Sequence, residues 1–246
     1  MKITERICEK AKNNSSSKPI LISFLGDSVT QGCFELYSTG NDDFQTVFRP
    51  EEAYCQKLKR LIETVIPQVT INVINAGISG DKSYDGADRL ERDIIAYKPD
   101  LCVVCYGLND LTRGAEHLEC YASSLDSIFS RLDKAGIEVI FMTPNMISTY
   151  VSDEITIPRL RTVAEHVTER FSDGTYDLFM DKAREICSKN NVPICDCSRK
   201  WRQLYNVGAD VTRLLANRVN HPTEDMHWLF AVSLFEMIMG LDKENF

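Results

Sequence analysis

The chain alternates between short, largely apolar runs and longer stretches whose apolar residues recur every three or four positions. The continuous runs are "PILISFLG", "VTINVINAG", "DLCVVCYGLND", "IEVIFMTP" and "VPICDC". Rich in β-branched and aromatic residues and bounded by turn formers, they predict five strands. Between them, "EEAYCQKLKRLIETVIP" places Ala53, Leu58, Leu61, Ile62 and Val65 near a 3.6-residue period and stops at Pro67, which predicts a helix. "SYDGADRLERDIIAYKP", "DLFMDKAREICSKNN" and "TEDMHWLFAVSLFEMIMG" read in the same way, as does "HLECYASSLDSIFSRLDKAG", with Gly136 as its stop. Residues 145–175 are less regular: a loop, then a helix from "PRLRTVAEHVTERF". Near the start, Ile3, Ile7 and Ala11 share a helical face before the polar "NNSSSKP".

Short strands with near-continuous apolar runs must be covered on both faces, so their alternation with helices predicts an α/β domain built on a parallel sheet. No repeat, low-complexity tract or linker interrupts the 246 residues. One domain is therefore expected over 1–246, with a helix and polar linker over 1–18 and the core over about 19–241. A 43% apolar content suffices for a sizeable core.

Charge narrows the partners. The 28 basic and 36 acidic side chains leave −8, and no Lys/Arg cluster stands out, which argues against nucleic acid or an anionic membrane. The charged N-terminus has no apolar signal region, and no stretch approaches the roughly 18 apolar residues of a membrane span, so a cytoplasmic protein is expected. The nine cysteines are odd in number and several lie inside strands, where they read as buried thiols. Cys102 and Cys105 have CxxC spacing, but in a strand they point to opposite faces. Cys195 and Cys197 lack a second ligand pair nearby, so no metal or other cofactor is expected.

In a parallel sheet the ligand lies beyond the carboxyl ends of the strands. The first strand is followed by Gly26-Asp27-Ser28, the second by "NAGISGDKS", the third by "GLND", the fourth by "TPN". "NRVNHPTEDMH" precedes the last helix. Ser28 thus sits at the sheet's lip, with Asp27 suited to fixing the turn. Serine needs a base to become a nucleophile. Of four histidines, His117 and His166 fall on amphipathic helical segments and read as surface residues, whereas His221, pinned by Pro222, faces the strand ends. "GISGDKS" is not a phosphate-binding loop, because Asp81 separates Gly80 from Lys82. The G-x-S-x-G elbow is absent too.

"GDSVTQG", "NAGISGDKS", "GLND" and the late "HP" stand in the order and approximate spacing of the blocks of the SGNH (GDSL-type) hydrolases, and the chain resembles that family from about residue 20 to 235. The resemblance implies a three-layer α/β/α flavodoxin-like fold with a five-stranded parallel sheet, and metal-independent hydrolysis of a small-molecule ester. It also implies that Ser28 is the nucleophile and His221 the base, with Ser28 N–H, Gly80 N–H and the Asn109 amide as the oxyanion hole. His227 is the weaker match to the base, since no proline follows it, and fits a packing role in the last helix. One departure stands out: the family's D-x-x-H acid position holds Arg218. Asp225, Asp210 or a backbone carbonyl are the candidates to orient His221. If none does, the chain is a ligand-binding protein that kept the fold without turnover. Segment 145–175 is expected to shape the pocket, and its mixed composition leans toward a small acyl group on a polar alcohol, such as an acetylated carbohydrate.

Overall fold

The computed structural model describes residues 1–241; the last five residues of the domain expected over 1–246 lie outside the described residues. After α1 (Lys2–Lys12), strand β1 (Ile20–Gly26) runs inside the sheet, paired on both sides, followed by the one-turn α2 (Ser28–Gln31). A hairpin comes next, β2 (Cys33–Gly40) and β3 (Asp43–Phe48), then α3 (Tyr54–Val65), β4 (Ile71–Gly77) and α4 (Ser83–Asp93). β5 (Leu101–Cys105), α5 (Leu108–Leu111), α6 (Leu118–Lys134) and β6 (Glu138–Met142) follow. The chain closes with α7 (Pro158–Ser172), α8 (Thr175–Lys189), β7 (Ile194–Cys195), α9 (Cys197–Asn206) and α10 (His227–Met239).

The main sheet has five parallel strands in the order β4-β1-β5-β6-β7, the flavodoxin-like arrangement expected. Helices α1, α3 and α10 pack together on one face, and α4, α6 and α8 on the other. Burial on both faces explains why Ile20, Ile22, Phe24 and Leu25, or Leu101 to Cys105, are apolar without alternation. Register then places the chemistry: Gly26 pairs with both Gly77 and Cys105, so three adjacent strands end level. The turns after them open side by side.

Three details depart from the pattern. Residues 33–48, outside the expected elements, form the β2–β3 hairpin, a separate two-stranded sheet. The fifth strand is only two residues long, because Asp196 already caps α9 by accepting the Arg199 N–H. The last helix starts at His227 rather than in the Thr223–Asp225 stretch. An antiparallel bridge between Leu215 and Pro222, with Thr223 N–H on the Leu214 carbonyl at 2.9 Å, keeps the preceding segment extended. Pro222 therefore belongs to the bridge, not to the first helical turn. All nine cysteines are free, and seven are buried.

Candidate active site

The turn after β1 is tightly built. A Cβ on Gly26 would collide with the Thr30 side chain and the Cys105 carbonyl, so only glycine fits. Asp27 caps α2, its Oδ1 accepting the Val29 N–H at 2.9 Å. Ser28 thereby becomes the first residue of α2, where a backbone N–H has no intrahelical acceptor. Its Oγ lies 3.0 Å from His221 Nε2.

The other imidazole nitrogen, Nδ1, lies 3.0 Å from the Phe34 carbonyl oxygen. A carbonyl only accepts, which assigns the proton to Nδ1 and leaves Nε2 free to accept from the Ser28 hydroxyl. Of the three groups open to orient His221, the backbone carbonyl is the one in contact. Asp210 instead caps the turn at Val211–Leu214 and accepts from the Tyr150 hydroxyl. Asp225 makes no side-chain hydrogen bond or ion pair among the described residues. Arg218, in a left-handed conformation at φ 59°, turns to Glu154 at 2.9 Å and to the Arg213 and Leu215 carbonyls.

Phe34 reaches His221 because of a β-bulge. Cys33 pairs with Phe48 but Leu36 pairs with Thr46, so Phe34 and Glu35 together oppose Val47 alone. The extra residue bends the strand and takes the Phe34 carbonyl out of the ladder's register. On the opposite side, Asn217 shapes the histidine loop. Its Oδ1 accepts the N–H groups of Val219, Asn220 and His221, each at 2.9 Å.

Burial holds the His221 imidazolium down to about 4 against the ordinary 6.5, and the Phe34 carbonyl opposes that only in part. His227 is fully buried one helix start away. Its Nδ1 accepts the Tyr54 N–H at 3.0 Å, and its ring packs on Phe34 with centroids 4.9 Å apart. It does not touch Ser28, consistent with a packing residue.

Gly80 lies at φ 85°, a conformation that favours glycine, and its N–H has no acceptor among the described residues. The loop is held against the serine turn by Ile78 N–H on the Gly26 carbonyl (3.1 Å) and Ser79 N–H on Gln31 Oε1 (2.7 Å). Asn109 donates one Nδ2 hydrogen to the Asp81 carbonyl at 2.9 Å, which aims the amide and leaves its second hydrogen free. Ser28, Gly80, Asn109 and His221 all line one cavity of about 460 Å³. Two buried carboxyls stand nearby: desolvation raises Asp27 to about 7 and Asp110 to about 6.

The cavity's apolar wall comes from the hairpin and α7, its polar wall from the loops at the strand ends. Leu36, Phe44, Leu160, Val163 and Val167 supply an apolar side, while Ser79, Thr112 and Asn220 supply a polar one. Arg159 at the start of α7 ties that helix to the hairpin tip, its N–H on Asp42 and its guanidinium on Asp43 at 2.8 and 2.7 Å. Segment 145–175 thus does contribute to the pocket. His166, expected on the surface, is half-exposed but lines the cavity, its Nε2 2.6 Å from the Thr112 carbonyl. His117 ends a short 3₁₀ turn before α6. Phe34 and Asn217 were not legible as site residues. Every residue has a carbonyl, so nothing marks Phe34, whereas an Asn opening a polar loop is at least a capping signal.

Residues 24–229 match the GDSL-like lipase/acylhydrolase family. An acetylxylan esterase from Geobacillus stearothermophilus is 30% identical over 169 residues, 64% of this chain and 74% of that protein. An arylesterase from Vibrio mimicus is 28% identical over 109 residues, 44% of this chain and 46% of its own length. A crystal structure of a catalytic mutant of the Geobacillus acetylxylan esterase shares the fold, with a TM-score of 0.65 at 24% identity over 89% of this chain and 94% of that one. A match spanning most of the chain, on a sheet of the same architecture, settles its kinship: it belongs to the GDSL-like lipase/acylhydrolase family and is a carboxylic ester hydrolase of the SGNH fold.

Proposed function

We propose that the chain is a metal-independent serine esterase working through a Ser28–His221 dyad, with the Phe34 carbonyl in the place of an orienting acid. Ser28 Oγ attacks the ester carbonyl carbon as its proton passes to His221 Nε2, and the imidazolium keeps its Nδ1 proton on the Phe34 oxygen. The oxyanion is held by the N–H groups of Ser28 and Gly80 and by the free Asn109 amide hydrogen. When the intermediate collapses, the Nε2 proton leaves with the alcohol and an acyl-Ser28 ester remains. Water, deprotonated by the same nitrogen, attacks that ester. The second collapse returns the proton to Ser28 Oγ and releases the carboxylic acid.

One observation carries this reading: the unbroken path of two 3.0 Å contacts from Ser28 through His221 to Phe34. It also weakens the alternative of a binding protein without turnover, since the loss of the acid at Arg218 has a physical substitute. For the substrate we favour an acetylated carbohydrate. The relative named an acetylxylan esterase and a cavity with one polar wall both support it. The reading treats 1–246 as one domain acting in the cytoplasm, where free thiols persist.

The test is hydrolysis of p-nitrophenyl acetate and acetylated xylo-oligosaccharides, with fluorophosphonate labelling. Ser28→Ala and His221→Ala are expected to lose turnover, and the label to land on Ser28. His227→Ala should chiefly lower thermal stability, with turnover falling far less. A Ser28→Ala variant that keeps most of the wild-type rate refutes the nucleophile.

A further inference from the structure

A backbone carbonyl has no side chain to hold it in place, so the Phe34–His221 contact depends on what joins the hairpin to the histidine loop. One residue touches both. Arg49 follows directly on β3, and its N–H bonds the Gly32 carbonyl at 2.9 Å, closing the hairpin's base. Its Nη2 pairs with Glu35 Oε2 at 2.6 Å, and Glu35 is the second residue of the bulge. Its Nε pairs with Glu224, three residues after His221. The guanidinium also lies 4.7 Å from the centroid of the Phe34 ring. A planar group with several fixed donors serves two carboxylates and a ring at once, which a lysine ammonium does not.

We propose that Arg49 is a positioning residue of the esterase: by binding Glu35 in the bulge and Glu224 behind His221, it clamps the Phe34 carbonyl onto the imidazole. The proposal rests on the Ser28–His221 reading above. The clamp's role is geometric more than energetic. The Arg49, Glu35 and Glu224 side chains are 29%, 49% and 41% exposed, and ion pairs of that kind add little to stability. None of the three lines the cavity, so substrate affinity is untouched. What changes is how well the imidazole is held. Losing an orienting acid outright lowers kcat by about 10⁴ in a serine hydrolase. Loosening a carbonyl that stays nearby is a smaller perturbation of the same kind.

The experiment uses the full chain with Arg49→Met, Glu224→Gln and the double variant, on p-nitrophenyl acetate. A second readout is the downfield proton resonance of His221 Nδ1–H, identified by its absence in His221→Ala. Each single variant is expected to lower kcat by roughly 10- to 100-fold with KM within about twofold, and to shift or broaden the resonance. The double variant should be no worse than Arg49→Met alone, because both changes cut one tether. If kcat and the resonance are unchanged in the single variants while His221→Ala is inactive, Arg49 has no positioning role and the dyad stands. A KM effect alone, or losses that multiply in the double variant, also overturns the clamp. An active His221→Ala would instead overturn the dyad. Should Arg49→Met fail to fold, Glu224→Gln at its exposed site decides by the same two readouts.

Discussion

A base that leans on a neutral carbonyl inside a buried site is a weak base, and that has a measurable pH signature. The perturbation is acidification. Burial holds the His221 imidazolium at about 4, and Phe34 supplies only a dipole where a carboxylate would supply a full charge. Against an ordinary 6.5, this corresponds to roughly 3 kcal/mol less affinity for the proton. At pH 5 a group titrating near 4 is about 90% in the neutral form needed to accept from Ser28, whereas one titrating near 6.5 is about 3% neutral. The esterase should therefore keep nearly all of its kcat/KM at pH 5, where a base with an ordinary imidazole pKa loses about 30-fold. The fold must survive the assay. His221 and His227 are both depressed by burial, to about 4 and about 3, so the stability tied to their neutral forms is present above about 6.5 and lost as pH falls through those values. Asp27 and Asp110 work in the opposite sense. Raised from 3.8 to about 7 and about 6, they contribute stability that is full below 3.8 and lost as pH rises through the higher values. The two trends oppose between about pH 4 and 6.5, and a melting curve taken at each assay pH separates loss of the base from loss of the fold. The assay is kcat/KM for p-nitrophenyl acetate from pH 4 to 8, quenched and read after alkalinisation. An acid limb with its midpoint at or above pH 6 would refute the reasoning.

Two further outcomes follow from the same geometry. Asn109→Ala should lower kcat by about 10²–10³ with little change in KM, because in the proposed mechanism its free amide hydrogen acts mainly on the transition-state oxyanion; a pure KM effect would make Asn109 a substrate-binding or turn residue. Asp27→Asn keeps an oxygen for the Val29 N–H and removes a carboxyl that must ionise while buried, so its melting temperature should exceed the wild type's by a margin that grows from pH 5 to pH 8, and a margin independent of pH would contradict the raised pKa.

Much of this protein is determined locally, by residues close together in the chain. The apolar runs at β1, β5 and β6 specify strands because burial on both faces leaves few polar positions in them, while the edge strand β4 tolerates Asn72 and Asn75. Gly26-Asp27-Ser28 specifies its own turn, since only glycine fits beside the Thr30 side chain and the Asp27 carboxyl caps the Val29 N–H. Ser28, Gly80, Asn109 and His221 follow from motif order, because a parallel sheet brings every loop after a strand to one edge. The hairpin is different. "CFELYSTGNDDFQTVF" has no clean alternation, as beyond its base its residues are only half-buried or exposed, so periodicity is weak where burial is weak. The partner of His221 lay beyond any reading of side chains, because it is a main-chain oxygen that every residue possesses. Its selection required a one-residue bulge opposite Val47 and a loop folded around Asn217, two segments almost 190 residues apart along the chain. Arg218 announced that an acid was missing from its expected place. Which group contacts the imidazole instead was decided by strand register and long-range packing, which set distances that no local pattern carries.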